Sequence, residues 1–174
     1  MVRRSLELPR EGFTIPEQKA VHGSFVNVNT MKNQFILNPT NDVVLNAEQY
    51  FSIENGFINM GVEDLKKVFT GADNVIMLEG RAKGSSRVAD AFEEAVLHTC
   101  SIAKDYDLFS ADKVLVQISA NKDHPLLMSE ISDLSRFSER FAPNTPFIRG
   151  ISYCSCNDDT VTVRIIASNI AHKH

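Results

Sequence analysis

Four β-rich runs limit what this chain can become: ADNVIMLEGRA, KVLVQIS, PFIRGISYCS and TVTVRIIAS. The first two are each followed by an amphipathic segment, and the last two are separated by little more than Asn157, Asp158 and Asp159. In Lys113 to Ser119, Val114, Val116 and Ile118 share one face, the period of two that marks a strand. Asn74 to Arg81 reads as another strand, ended by Gly84. Between them, SSRVADAFEEAVLHTCSIA repeats Val88, Phe92, Ala95, Val96 and Thr99 at spacings of three and four, with Ser85 or Ser86 able to cap the helix. In SEISDLSRFSERF, Ile131, Leu134, Phe137, Ser138 and Phe141 form a buried stripe, with Arg136 and Glu139 on the wet side. The order from Asn74 is strand, helix, strand, helix, strand, strand. It predicts an α+β sandwich, a four-stranded mixed sheet with two helices on one face. Turn chemistry at Asn157 to Asp159 predicts that the last two strands form an antiparallel hairpin.

A sheet of this kind needs a cover on its second face, and the N-terminal third is the source of one. Pro9, Pro16 and Pro39 punctuate residues 1–39, which read as an arm with one hairpin built from SFVNVN and NQFIL. From Thr40 or Asn41 to about Ile53, Val43, Val44, Ala47, Tyr50 and Phe51 fall on one face at helical spacing. Leu45 lies off that stripe, so a second surface, with the arm as nearest candidate, is expected to pack there. The division is therefore an arm at 1–39, a helix at 40–55 and the sandwich at 56–174, with a short helical turn at Val62 to Val68.

At 174 residues the chain is long enough for one real core. Its apolar fraction of 43% and net charge of −4 fit a globular protein and give no electrostatic case for nucleic acid or an anionic membrane. No apolar run approaches the roughly 18 residues of a membrane span, and MVRRSLELPREGF has no apolar stretch behind its basic residues, so a cytoplasmic protein is expected. Three cysteines make no disulfide framework for a chain of this size, and reduced thiols are expected. Cys154 and Cys156 would share a strand face, but no second ligand pair accompanies them, so no metal site is expected. His98 reads as a solvated position on a helix, and His124, beside Lys122 and Asp123, as an exposed turn. Arg136 and Arg140 read as a solvated helix face.

Several segments together resemble one family. NDVVLNAEQYFSIENGFINMGVEDL is similar to the central helix and following loop of FtsZ, the bacterial tubulin homologue of cell division, whose helix opens Asn-Asp-Val and whose loop reads Ile-Asn-Val-Asp-Phe-Ala-Asp-Val. GSSRVADAFEEAV, ADKVLVQISAN and TVTVRIIASNI resemble that family's next helix, a later strand and its final strand. The likeness runs from about Asn41 to Ile170 and implies the fold of the family's C-terminal domain.

The resemblance also carries expectations about chemistry. The family's GTPase domain wraps phosphates in a glycine-rich loop. Here there are 8 glycines with no two adjacent, no GxxxxGK[ST] and no GxGxxG. No nucleotide cofactor is therefore expected to bind these residues in the family's manner. In the family, the loop's asparagine and two aspartates reach the nucleotide of the next subunit in a filament and polarise the attacking water. Asn59 matches the asparagine and Asp64 the second aspartate, while Gly61 stands at the first, with Glu63 beside Asp64. The loop is thus expected to be vestigial, its plainer role being to cap the helix beginning near Val62. Asp42, at a position near the family's guanine base, has no pocket to serve. The implied function is a non-enzymatic interaction module whose partners are other copies of itself and FtsZ or another division protein. A different reading follows from architecture alone: chorismate-mutase-like trimers also place two helices on a four-stranded sheet and bind small molecules between subunits. In that reading Glu79, Arg81, Lys83 and Arg149, at strand ends, would clamp a carboxylate.

Overall fold

The computed structural model describes residues 32–51, 61–155 and 157–174. The elements, in chain order, are β1 (Gln34–Leu37), α1 (Asn41–Phe51), α2 (Val62–Phe69), β2 (Asn74–Ala82), α3 (Arg87–Ile102), β3 (Tyr106–Asp107), β4 (Lys113–Asn121), α4 (Met128–Ser138), β5 (Phe147–Cys154), β6 (Val161–Ser168) and β7 (Ala171–His172). A mixed sheet of order β1-β2-β6-β4-β5 forms the middle layer, and β3 pairs with β7 in a small ribbon beside it. The α+β architecture is that expected from the alternating pattern.

Two details of the expected sheet are corrected. First, among the described residues it has five strands rather than four. The end of the N-terminal arm, QFIL, pairs antiparallel with β2 as an edge strand, Gln34 opposite Met77 and Leu37 opposite Asn74. The other half of the hairpin expected in the arm lies outside the described residues. Leu45 is 55% exposed on α1, and most of the arm expected to cover it lies outside the described residues. Second, β5 and β6 are not a hairpin. β5 pairs parallel to β4, whereas β6 inserts antiparallel between β2 and β4. Burial explains the outcome: seven of the eight residues of β6 are buried and it needs a neighbour on each side, while β5 is half-buried along much of its length and suits an edge.

Strand alternation divides the core in two. Ile76 and Leu78 of β2, Val114, Val116 and Ile118 of β4, and Val161, Val163 and Ile165 of β6 face α3 and α4. The intervening Val75, Met77, Leu115 and Ile166 face α1 and α2, meeting Ala47, Tyr50, Phe51, Leu65, Val68 and Phe69. Each such side chain, fully buried, stabilises the fold by roughly 1.5–3 kcal/mol of transfer free energy before entropy is subtracted. Lys113 fixes the end of α2 by donating its Nζ to the carbonyls of Lys67 (3.0 Å) and Thr70 (2.8 Å). Cys154 is disulfide-bonded, which corrects the expectation of reduced thiols at that position, and Cys100 is free and exposed.

The helix layer meets the backbone of the sheet at Gly80. A Cβ there would stand 2.0 Å from the Ala91 carbonyl oxygen and 2.6 Å from the Ala95 nitrogen. Helix α3 therefore lies directly on the backbone of β2, with fully buried Ala91 and Ala95 at the contact. Gly80→Ala is expected to push α3 off the sheet and lower stability by about 3 kcal/mol or more. Gly71, in left-handed backbone with open space around it, is expected to cost about 1 kcal/mol when changed to Ala. Urea unfolding of both variants checks this, and equal losses would contradict the packing argument.

Candidate functional site

Helix α2 begins where the FtsZ-like loop ends. Gly61 precedes it with φ −91° and ψ 161°, extended backbone open to any residue. Its N–H donates to Asp64 Oδ2 at 3.2 Å, and the Asp64 N–H donates back to the Gly61 carbonyl at 3.0 Å. Asp64 Oδ1 accepts from Lys67 Nζ at 3.0 Å. Both carboxylate oxygens thus bond within their own helix, one at its N-cap and one to Lys67 of its last turn. The Lys67 bond first, then the Gly61 bond, holds the Asp64 carboxyl below its ordinary pKa. Glu63 points outward and pairs loosely with Lys66 at 3.4 Å. A Cβ on Gly61 would have nothing nearer than Asp64 Oδ2 at 3.9 Å, so the backbone leaves space for a side chain. Asn59 lies outside the described residues, and Asp42 sits exposed in the first turn of α1.

A second concentration of charge lies between α1 and the sheet. The apolar face toward α1 turns polar after Met77, with Glu79 and Arg81 of β2, Arg164 of β6 and Gln117 of β4 on the same side. The Tyr50 hydroxyl of α1 donates to Glu79 Oε2, which also accepts from Arg164 Nε at 3.2 Å. Arg81 Nε donates to Glu79 Oε1 at 3.1 Å. Arg164 lies over the Tyr50 ring at 4.9 Å and donates to Gln117 Oε1 at 3.3 Å, while Gln117 Nε2 donates to the Phe51 carbonyl at 3.4 Å. Burial raises the Glu79 carboxyl, but the Tyr50 bond and the charges of Arg164 and Arg81 outweigh it and leave the group below its ordinary pKa. Burial, followed by the bond to Glu79, pushes the Tyr50 hydroxyl up.

The carboxylate clamp expected from Glu79, Arg81, Lys83 and Arg149 is not assembled. Glu79 and Arg81 meet, but Arg81 donates to Glu79, and Glu79 is spent on Arg81, Arg164 and Tyr50. Arg149 is aligned with Val116 and therefore lies on the opposite face of the sheet, beside the α3 and α4 layer. Lys83 follows β2 and lies near Asp158. The alternation of TVTVRIIAS contains the signal for Arg164, a lone cation within a buried strand. Tyr50 read only as a core residue.

A third cluster joins loops to helices. Buried Arg87, the first residue of α3, forms a two-point bridge to Glu130 of α4 (2.7 and 3.0 Å) and donates to the carbonyls of Asp159 and Pro125. Glu130 also accepts the Leu127 N–H at 2.8 Å. The Arg87 bond, against burial, lowers the Glu130 carboxyl, and the same bond raises the Arg87 guanidinium. His124 is exposed at the edge of this cluster, as expected of a turn, while His98 is half-buried on α3. Arg136 pairs with Asp133, and Arg140 pairs with Glu93 and stacks on Phe109 at 4.1 Å. Among the described residues no group of three histidine, cysteine or acidic side chains is placed to hold a metal, and no helix is long and apolar enough to cross a membrane.

Comparison with known proteins agrees with this geometry. No protein-family model matches the chain. The cell division protein FtsZ of Wigglesworthia glossinidia brevipalpis is 29% identical over 134 residues, 75% of this chain and 34% of that protein. A solved empty FtsZ dimer from M. jannaschii superimposes with a TM-score of 0.58 at 22% identity, over 74% of this chain and 38% of that one. A GDP-form protofilament structure of TubZ from Bacillus thuringiensis serovar israelensis gives 0.54 at 6% identity, over 74% and 36%. The chain spans about a third of the length of these relatives. Its fold is that of the C-terminal domain of FtsZ and tubulin-like proteins.

The Glu79 network has a consequence for pH. A carboxyl whose folded pKa is lowered contributes stability above its unfolded pKa, about 4.3, and loses it as pH falls through the folded value. Glu79→Gln leaves Arg164 and exposed Arg81 without their carboxylate and is expected to lower stability by about 2 kcal/mol at pH 7, chiefly through Arg164. Urea unfolding of both proteins should show that difference shrinking as pH falls below about 5. A difference that stays constant down to pH 3 would mean that the charge of Glu79 is not what stabilises the network.

Proposed function

We propose that this FtsZ-like chain is a non-enzymatic interaction module that self-associates and modulates the assembly of cell-division filaments. The observation that carries the reading is the start of α2. In FtsZ the resemblance implies two loop aspartates acting on a neighbour's nucleotide. Here Gly61 occupies one of those positions, although the backbone has room for a side chain. Asp64, at the other, gives both its oxygens to its own helix. A subunit docked through this face would complete the contact but not the hydrolytic machinery, because water activation needs an acceptor directed outward. Such a subunit lengthens the life of the nucleotide at its joint. In this reading residues 1–39 form an arm, 40–55 the counterpart of the family's central helix and 56–174 the docking domain.

The test is to add the purified chain to FtsZ and GTP, following polymer mass by light scattering and phosphate release in parallel. The expected result is lower GTP turnover per polymer mass, with Gly61→Asp relieving part of the inhibition. Unchanged polymer mass and unchanged turnover would overturn the proposal.

A further inference from the structure

We draw no further inference here: the strongest candidate, the exposed apolar strip of Leu127 and Met128 at the start of α4, beside the cavity of about 180 Å³ between that helix and β5, carries nothing, because nothing in the structure shows what covers it.

Discussion

The contact between α3 and the backbone of β2 at Gly80 is the constraint on which the other packing depends. With no Cβ at Gly80, two alanines of α3 sit against main chain, and the helix lies deeper than ordinary side-chain packing allows. That depth lets Val88, Phe92 and Ala95 reach the same layer as Ile76 and Leu78. It also sets the position of Arg87, whose guanidinium ties the turn at Asp159, the loop at Pro125 and the start of α4 into one unit. One missing methyl group thereby fixes the helix layer, and the helix layer fixes the loops.

The other side of the sheet is built differently. Its first half is apolar beneath α1 and α2, and its second half is charged and hydrogen-bonded. Tyr50 spans the two, with its ring packed on Phe51 and its hydroxyl on Glu79. Burial of a charged network is worth little in net stability, because desolvation offsets most of the Coulomb gain. Its effect is directional. Phe51 and Tyr50 can seat in one way only if Gln117 and Glu79 are to find their partners, so the network sets how α1 lies across the strands.

Much of this was legible in the sequence. Helical spacing located α3 and α4 through Phe92 and Phe137, and alternation located β4 through Val116 and Ile118. The family likeness also identified the fold that the structure displays. Strand neighbours were harder to read. Asn157 to Asp159 have the composition of a hairpin turn, but strand order depends on which run can be buried on two sides, and that comparison involves β6, β4 and β2 together. The strand Gln34–Leu37 was missed as a member of the sheet, since four residues carry too little pattern to choose between covering a face and extending an edge. At the candidate site, the loop residues were expected from the family likeness alone, whereas the Tyr50, Glu79 and Arg164 network depends on three elements whose register no local pattern reveals. The proposed clamp failed for the same reason: Arg149 has the parity that sends it to the other face.

The central place of β6 also bears on synthesis. Its residues, 161–168, come after β2 and β4 in chain order, yet both strands depend on them for a neighbour. As the chain leaves the ribosome, α3 and the strands on either side of it emerge with two unpaired ladders and an incomplete core. No stable sheet can close until about residue 168 is free. Between the synthesis of β4 and that of β6 the nascent chain therefore carries bare strand edges, and its solubility in that interval depends on how promptly β6 arrives.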